Sequence, residues 1–464
     1  MSESLPDARL LARYATPAPR YTSYPTAPHF RPDFPAARWE ALLEATNTAP
    51  APPLSLYLHL PFCRHLCFYC GCTKIVTAHR EQADDYVAHL GRELELLTAR
   101  LDPGRPLVQL HLGGGTPTFL RARAQETLLG MLGRSFATVS PEDADYGLEA
   151  DPRDIAPGTL ARFHAFGFRR LSLGVQDLDP EVQAAIHRIQ PEALTRRVID
   201  EARGLGYRSV NIDLIVGLPH QNIRRFEKTL ETVLDWRPER IALFHYAHLP
   251  DLFPAQRAID PRALPESAEK YLLQARAIEK LTEAGYVHIG LDHFALPGDE
   301  LVRALETGTL QRNFQGYSTR KGTTLLGAGM SAIADLGTAY GQNEKDLERW
   351  GAALHAGRLP LARGLELDPD DRVRRRVIME LMCAFTVGTP PLAERGRVPF
   401  WEYFATEREA LAPLVNDGLV EIRPEAIRVT EIGRFFVRHV ARVFDARDRS
   451  ARDEPSAPRY SRVL

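Results

Sequence analysis

The stretch Leu54-Ser55-Leu56-Tyr57-Leu58-His59-Leu60-Pro61 leads directly into Phe62-Cys63-Arg64-His65-Leu66-Cys67-Phe68-Tyr69-Cys70. Its first part alternates apolar and other residues with the period of a β-strand, and the proline ends the pattern. Helical spacing follows at Tyr86, Leu90, Leu94 and Leu97, and a second alternating stretch spans residues 107–112. The order strand, helix, strand is the unit from which parallel sheets are built.

The same alternation recurs four times further along the chain, with room for a helix between successive stretches, at residues 146–150, 170–175, 210–216 and 241–248. Six units of this kind predict an α/β fold, and we expect a partial (β/α)6 parallel barrel, although the pattern does not exclude a closed one. In a parallel barrel the carboxyl ends of the strands carry the active site. The predicted strand ends carry the cysteines, residues 113–118, Glu149, Gln176, Asp213 and Tyr246-Ala247.

A second region begins near Asp368, where the pattern becomes mainly helical. Two short strand patterns at residues 419–422 and 427–429, followed by a helix from Glu431, are typical of a winged helix. A chain of 464 residues also exceeds the size of a single core. We therefore predict three parts. They are an N-terminal segment near the active site (1–50), the barrel with its extension (51–365) and a smaller, winged-helix-like C-terminal domain (366–464).

Composition favours a cytoplasmic enzyme. The formal charge is 58 − 60 = −2, so there is no overall positive field to attract nucleic acid. Residues 1–20 lack the apolar core of a signal peptide, and no run of about 18 apolar residues predicts a membrane span. We expect neither a nucleic-acid partner nor a membrane span.

Four of the five cysteines lie between Cys63 and Cys72, and Cys383 stands alone. Clustering of this kind favours metal binding over a disulfide framework. Three closely spaced thiolates with aromatic neighbours suit three irons of a four-iron cluster and leave the fourth iron open. The alternative is a zinc site of Cys67, Cys70, Cys72 and His65. Structural zinc usually joins two distant ligand pairs, which favours the cluster.

The pattern Cys-x3-Cys-x2-Cys, with an aromatic residue before the last cysteine, resembles the motif of the radical S-adenosylmethionine (SAM) superfamily. Here it comprises Cys63, Cys67, Tyr69 and Cys70. The resemblance implies a barrel of the radical SAM type and one 4Fe-4S cluster on the three cysteines. It also implies SAM bound at the open iron and reductive formation of a 5′-deoxyadenosyl radical. Residues 113–117 (Gly-Gly-Gly-Thr-Pro) resemble the segment that contacts the methionine amino group in that superfamily.

Longer phrases resemble a narrower family, the oxygen-independent coproporphyrinogen III oxidases, also called coproporphyrinogen dehydrogenases, over nearly the whole chain. The phrases are residues 19–25, 57–72, 113–118, 174–177, 211–213, 246–250 and 312–317.

That resemblance implies two bound SAM molecules. The first is implied at Tyr57, Gly114, Glu149 and Ile333, and the second at Tyr69, Gly115, Thr116, Gln176, Arg188, Asp213 and Ala247. A carboxylate such as Asp213 suits ribose hydroxyls or an amino group, and Arg188 suits a carboxylate. From the residues alone, an arginine such as Arg188 is usually a solvated helix residue, and filling of the barrel is the alternative for Tyr57. Likewise, Glu149 and Asp213 are equally caps of the helices that follow them.

Cys72 is not needed for a three-cysteine cluster site and would otherwise be a small buried apolar residue. Haem-chaperone proteins of the same superfamily typically lack a cysteine there and lack the segment 19–25. Both features favour the enzyme, and the resemblance implies catalytic roles for Tyr57 and Cys72.

The implied reaction converts two propionate side chains of coproporphyrinogen III to vinyl groups and gives protoporphyrinogen IX for haem synthesis. The radical abstracts hydrogen from a propionate β-carbon, and carbon dioxide and one electron then leave. We expect Arg13 and Arg20 as candidate partners of substrate carboxylates, an electron donor such as flavodoxin or ferredoxin, and a monomer. The alternatives are a haem-binding chaperone and another radical SAM reaction on a tetrapyrrole.

Overall fold

The computed structural model describes residues 7–14, 16–451 and 460. The chain forms two compact units. The sheet unit consists of Phe30–Glu269 and Gly322–Glu366, and the terminal unit consists of Met1–His29, Lys270–Lys321 and Leu367–Leu464. Within the described part of the chain, no helix combines the length and the apolar composition that crossing a bilayer requires.

The strands of the described residues are, in chain order, β1 (Leu54–Leu60), β2 (Phe62–Cys63), β3 (Ile75–Val76), β4 (Pro106–Gly114), β5 (Ala137–Thr138), β6 (Asp145–Ala150), β7 (Arg170–Gln176), β8 (Ser209–Val216), β9 (Arg240–His245), β10 (Val287–Gly290), β11 (His293–Ala295), β12 (Gln311–Asn313), β13 (Gly316–Ser318), β14 (Thr324–Ala328), β15 (Ile333–Asp335), β16 (Ala339–Asn343), β17 (Leu361–Glu366), β18 (Thr386–Gly388), β19 (Val420–Ile422) and β20 (Ala426–Val429).

The α-helices are α1 (Ala8–Tyr14), α2 (Ala36–Ala45), α3 (Gln82–Thr98), α4 (Ala122–Ser135), α5 (Thr159–Phe166), α6 (Pro180–Ala185), α7 (Glu192–Leu205), α8 (Ile223–Trp236), α9 (Ser267–Glu283), α10 (Glu300–Glu306), α11 (Leu347–His355), α12 (Pro369–Ala384), α13 (Phe400–Tyr403), α14 (Ala405–Asn416), α15 (Glu431–Arg434), α16 (Val437–Val443) and α17 (Ala446–Ala451).

Six strands of the sheet unit form a parallel row. β1, β4, β6, β7, β8 and β9 are neighbours in that order, and each pairs in parallel with the next. On the other side of β1, β14 is also parallel, and β15, β16 and β17 extend the sheet with antiparallel pairs. The row confirms the predicted α/β class and the six parallel strands of the partial (β/α)6 barrel.

The register of these strands places polar side chains on one face. Tyr57 on β1 pairs with His111 on β4, and Glu149 on β6 pairs with Ser172 on β7. Asp213 lies one strand further along, on β8. The apolar residues between these positions are buried. Because side chains of a strand alternate between its two faces, the polar residues share the face opposite the apolar ones.

One predicted strand end and one predicted position at a strand end are wrong, whereas β8 ends at Val216 as the sequence predicts. Asp213 lies inside β8, three residues before its end, and β9 ends at His245 where the sequence predicts residue 248. The N–H of Tyr246 still donates to the carbonyl of Val216 on β8, whereas the carbonyl of Ala247 accepts a hydrogen bond from the side chain of Gln256.

In the terminal unit, α12 begins where the sequence changes its pattern. Asp368 caps the helix through the N–H of Asp371, whose own side chain accepts from the N–H of Asp368, and Pro369 takes the first position. β18, β20 and β19 form a small antiparallel sheet in that order. The predicted boundaries after residues 50 and 365 stay predictions. Residues 1–6, 15, 452–459 and 461–464 of the predicted terminal parts lie outside the described residues.

Candidate functional site

The cysteine loop, residues 62–72, begins two residues after β1 ends. The N–H of Cys70 donates to the carbonyl of Cys67 at 3.3 Å, which bends the loop back on itself. Cys63, Cys67, Cys70 and Cys72 line one cavity of about 170 Å³. All five cysteines of the chain are free thiols. The three predicted iron ligands therefore share a common space.

Aromatic side chains of the loop pack into the protein around it. Phe62 is buried, stacks on Phe119 with 5.7 Å between ring centroids, and meets Tyr86 edge to face. Phe68 and Tyr69 pack against a buried apolar cluster. The cluster consists of Val182, Ile186, Ile215, Leu218, Tyr246 and Ile259. Packing of this kind keeps water away from that side of the loop.

The glycine segment, residues 113–117, runs beside the cysteine loop. The N–H of Gly115 donates to the carbonyl of Leu60 at 2.8 Å. A Cβ atom on Gly115 would lie 2.5 Å from the carbonyl carbon and oxygen of Pro61, which is closer than real Cβ atoms approach. The sequence predicts ligand approach at this glycine. The structure shows that its bare backbone also lets two chain segments touch.

Thr116 continues the contact between these segments. Its N–H donates to the carbonyl of Phe62 at 2.8 Å, and its hydroxyl lies 3.7 Å from the sulfur of Cys63. The first cysteine is thereby fixed from the glycine segment as well as from its own loop.

Glu149 lies over the glycine segment. Its Oε1 is 2.8 Å from Nε2 of His111, and its Oε2 accepts from the N–H of Gly114 at 3.2 Å. A Cβ atom on Gly113 would meet this carboxylate at 2.8 Å. Burial alone would raise the pKa of Glu149, but His111 and the Gly114 N–H outweigh it and hold the pKa below its ordinary value. The site thus contains a fixed carboxylate beside the glycines.

Tyr57 stacks on His111 with 5.9 Å between ring centroids. Its hydroxyl lies 3.0 Å from Nδ1 of His59, whose Nε2 lies 2.9 Å from the carbonyl of Thr73. Burial lowers the pKa of His59 and favours the neutral ring. Because a carbonyl only accepts, Nε2 carries the proton, and the hydroxyl of Tyr57 donates to Nδ1.

Asp213 is held by two donors. The side-chain amide of Asn211 donates to Oδ1 at 2.7 Å, and the hydroxyl of Ser172 donates to Oδ2 at 3.3 Å. Burial raises the pKa of Asp213 to about 7, and the charge of Glu149 adds to the rise. A carboxyl group that titrates near neutrality in a cavity is a feature of binding and catalytic sites.

Arg188 and Gln176 hold polar atoms that lack a partner. Arg188 donates from Nη2 to the carbonyl of Gly174 at 2.5 Å and from Nη1 to Asp151 at 2.9 Å. Gln176 adopts the left-handed region at φ 71°. Within the described residues, Nε of Arg188 and Oε1 of Gln176 are buried without a hydrogen-bond partner. Such atoms are uncommon in folded proteins and are available to a bound ligand.

Most of the predicted site residues share the cavity. Its lining includes Cys63, Cys67, Tyr69, Cys70, Cys72, Gly114, Gly115, Thr116, Glu149, Gln176, Arg188 and Asp213. Tyr57, Ala247 and Ile333 are not in its lining. The backbone of Ile333 packs against Gly327, because a Cβ atom on Gly327 would lie 2.7 Å from the carbonyl carbon and oxygen of Ile333. Gly327 is also the residue of β14 that pairs with Tyr57 on β1. The structure therefore brings Ile333 beside Tyr57.

Sequence reasoning missed several residues of the site. Those that line the cavity or contact a cysteine are Arg64, Lys74, Ala150, Asp151, Arg153, Asp154, Ser172 and Gly174. Asp151 directly follows β6. Polar residues at the ends of predicted strands are candidates for the site, and this criterion, which identifies Glu149, also fits Asp151.

Gln256, which sequence reasoning also missed, joins two predicted cofactor residues. Its Nε2 donates to the carbonyl of Tyr69 at 3.0 Å and to that of Ala247 at 3.2 Å, and its Oε1 accepts from the N–H of Leu249 at 2.6 Å. The side chain is buried. The loop after β9 is thereby tied to the cysteine loop by one amide group.

Replacing Gln256 by leucine is expected to have two effects. It should destabilise the protein, and it should weaken SAM binding because Gln256 holds the backbone of Tyr69 and Ala247, which are both predicted to bind SAM. Leucine is similar in size but leaves two carbonyls and one N–H without their partner, and each buried unpaired group costs about 1–3 kcal/mol. We expect the free energy of unfolding to fall by at least about 2 kcal/mol. Denaturant titration and SAM binding to the reconstituted protein measure the two effects. The exposed Gln82 provides the control Gln82→Leu. Equal results for both variants would contradict this role of Gln256.

The zinc alternative lacks a suitable arrangement of ligands. Among residues 7–14, 16–451 and 460, no three His, Cys, Asp or Glu side chains are placed to hold one metal ion. Cys67, Cys70, Cys72 and His65 would need to converge in that way around zinc. The thiolates of a four-iron cluster bind different irons and need not converge on one point.

Two protein families match parts of the chain. Residues 57–233 match the radical SAM superfamily, and residues 367–436 match the HemN C-terminal domain. The first range holds the cysteine loop and most of the parallel strands, and the second begins two residues before α12.

Individual proteins match over nearly the full length. The chain is 42% identical over 461 residues to the oxygen-independent coproporphyrinogen III oxidase of Pseudomonas aeruginosa, covering 99% of this chain and 98% of the relative. It is 42% identical over 458 residues to the protein of that name from Escherichia coli, with the same coverage. The solved structure of coproporphyrinogen III oxidase (HemN) from Escherichia coli, described as a radical SAM enzyme, matches with a TM-score of 0.89 and 40% identity, covering 95% of this chain and 98% of that one.

Proposed function

The chain belongs to the oxygen-independent coproporphyrinogen III oxidase family of radical SAM enzymes, and from this membership we propose that it converts coproporphyrinogen III to protoporphyrinogen IX. Each of two propionate side chains loses a β-hydrogen atom to the adenosyl radical, carbon dioxide, and one electron to an acceptor, and so becomes a vinyl group without dioxygen, in haem synthesis. The observation that carries the proposal is that the cysteine triplet and most of the predicted SAM residues line one cavity.

The side chains present fit a 4Fe-4S cluster. Cys63, Cys67 and Cys70 offer three thiols to one space, and no fourth cysteine is needed for a cluster with an open iron. Two guanidinium groups, those of Arg153 and Arg188, donate to the sulfur of Cys67. These two groups place positive charge beside a sulfur that would carry negative charge as a ligand of the cluster.

The polar groups of the cavity fit SAM, which carries an amino group, a carboxylate and ribose hydroxyls. Carboxylates at Glu149 and Asp213 suit the amino group and the hydroxyls, and the free Nε of Arg188 suits the carboxylate. The predicted contacts of the first SAM molecule also lie together, since Tyr57 and Glu149 both contact His111. This grouping supports two SAM molecules in the site.

When bound, the cluster and SAM supply one-electron cleavage and the 5′-deoxyadenosyl radical that abstracts hydrogen from the substrate. The protein positions the reacting groups and keeps water out. Tyr57 is held by His59 with its hydroxyl proton directed at Nδ1, which leaves the oxygen lone pairs free to accept. Cys72 lies beside Cys70, whose thiolate accepts from it, and this raises the pKa of the Cys72 thiol. We assign both residues catalytic roles at the substrate.

The arginines that the sequence suggests for the substrate carboxylates already have partners within the protein. The substrate has four carboxylates, which suit arginines. Arg13 and Arg20, which the sequence suggests for them, are already paired with Asp417 and Asp292 within the terminal unit. An electron donor such as flavodoxin or ferredoxin, a monomeric state and a cytoplasmic location complete the proposed function.

Turnover by the whole chain tests the proposal. The protein is reconstituted without oxygen, supplied with dithionite, SAM and coproporphyrinogen III, and its products are followed by mass spectrometry. We expect loss of two carboxyl groups, with two molecules of 5′-deoxyadenosine per product because two propionates react. SAM cleavage without decarboxylation would contradict the substrate and favour a haem chaperone or another tetrapyrrole reaction. Absence of SAM cleavage would contradict the radical chemistry as well.

A further inference from the structure

One of the three cluster cysteines has a distinct electrostatic surrounding. The sulfur of Cys67 accepts from Nη2 of Arg153 at 3.5 Å and from Nη1 of Arg188 at 3.4 Å. By contrast, the sulfur of Cys63 lies beside the neutral hydroxyl of Thr116. Cys70 has one cationic neighbour, Lys74, which donates to its carbonyl and, besides the hydrogen bond from Cys72, also lowers the pKa of its thiol. Two guanidinium groups thus meet at the sulfur atom of Cys67.

Asp151 holds both guanidinium groups in place. Its carboxylate accepts from Nε and Nη2 of Arg153, the latter at 2.7 Å, and from Nη1 of Arg188 at 2.9 Å. Burial alone would raise the pKa of Asp151, but the two arginines lower it to about 2. The carboxylate is therefore charged at any working pH, and both arginines have a fixed anchor. The three groups, which we call the Cys67 clamp, carry a net charge of +1.

Burial makes this charge effective. The side chains of Arg153, Arg188 and Asp151 are 11%, 5% and 12% exposed. Charges that are largely removed from water are screened less and interact more strongly than surface charges. The clamp also lies in the cavity wall, where Asp151 and Arg188 are lining residues.

We propose that Arg153 raises the reduction potential of the cluster by donating to Cys67, with Asp151 as the group that positions it. Reduction adds one negative charge to a cluster whose thiolates are already negative. Hydrogen bonds to ligand sulfurs and nearby positive charge stabilise the added electron and raise the potential. Arg188 is already predicted to bind SAM, whereas Arg153 has no predicted part in binding it, so Arg153 allows the two effects to be separated. The proposal rests on the proposed function only for the presence of the cluster.

The midpoint potential of the reconstituted full-length protein tests the proposal directly. Arg153→Gln removes the charge and keeps a polar side chain, and we expect the equilibrium constant for one-electron reduction to fall about tenfold, or 59 mV. Redox titration followed by electron paramagnetic resonance measures it, together with iron content and SAM affinity. We expect wild-type iron content and SAM affinity within about twofold, since the predicted SAM contacts do not include Arg153.

Arg162→Gln is the matched control, because Arg162 in the same unit pairs with Glu126 and also donates to the side chain of Gln125, away from the cysteine loop. Arg153→Leu is measured beside Arg153→Gln in case glutamine perturbs the loop. An unchanged potential in a fully loaded Arg153 variant would overturn the proposal. So would failure of both folded variants to hold iron, because Arg153 would then be structural. A lowered potential in a protein that does not decarboxylate coproporphyrinogen III would support this inference and overturn only the proposed function.

Discussion

Serine in place of Cys67 is expected to leave the protein without its iron–sulfur cluster and without turnover. Cys67 is buried in the middle of the cysteine loop, and its sulfur accepts hydrogen bonds from the guanidinium groups of Arg153 and Arg188. A serine hydroxyl does not become an anion at neutral pH and is a poor ligand for clusters, which thiolates hold. Removing a group that hydrogen-bonds to a metal ligand typically lowers activity about 10- to 100-fold, and loss of the ligand itself should lower turnover by more than that. Iron content, visible absorption and product formation measure it.

Two other cysteines serve as controls for Cys67→Ser. Cys383→Ala changes a buried thiol of the terminal unit and should keep both cluster and turnover. Cys72→Ser should keep the iron, because the proposed ligand set is complete with three other cysteines. It should lose decarboxylation, because we assign Cys72 a catalytic role. Full iron content in Cys67→Ser would contradict the proposed ligand set. Iron loss in Cys72→Ser would make Cys72 part of the ligand environment instead.

The strands could be predicted from the sequence because alternation is a local property. The first strand has the predicted bounds Leu54–Leu60, and the predicted row of six parallel strands is present. Parallel strands bring their carboxyl ends to one edge, so polar residues that lie far apart in sequence, such as Glu149 and Gln176, line the same cavity. Periodicity did not identify Arg188 or Ile333. Those two residues were named from the family resemblance.

Other parts of the site could not be predicted because they depend on long-range contacts between a side chain and the backbone. Gln256 lies in a short 3-10 helix (Pro254–Ala258) after β9, and nothing in its neighbours indicates that its amide meets the carbonyl of Tyr69. Asp151 could be identified as polar, but its simultaneous contact with Arg153 and Arg188 depends on how α6 ends near the cysteine loop. Partners of this kind are fixed by tertiary packing and leave no periodic signal in the sequence.

Alanine in place of Gly115 is expected to disturb SAM binding and cluster loading at the same time. The added methyl group would lie 2.5 Å from the carbonyl of Pro61 and 2.7 Å from that of Phe62. These are backbone atoms next to Cys63 and cannot rotate away as a flexible side chain would. Overpacking costs about 1–3 kcal/mol, and separating the segments would also break the hydrogen bond from Gly115 to Leu60. We expect a lower melting temperature, incomplete iron loading and at least about tenfold weaker SAM binding, the change that about 1.4 kcal/mol gives.

Gly204→Ala separates this steric effect from the general effect of adding a methyl group to glycine. Gly204 lies in α7, and a Cβ atom there would meet nothing within 4 Å, so alanine should raise the stability of the helix by about 0.5–1 kcal/mol. The two substitutions are chemically identical and should therefore change the melting temperature in opposite directions. Wild-type iron content and SAM affinity in Gly115→Ala would mean that the cysteine loop can move away without loss. The close contact between the two segments would then not be what positions the cluster ligands.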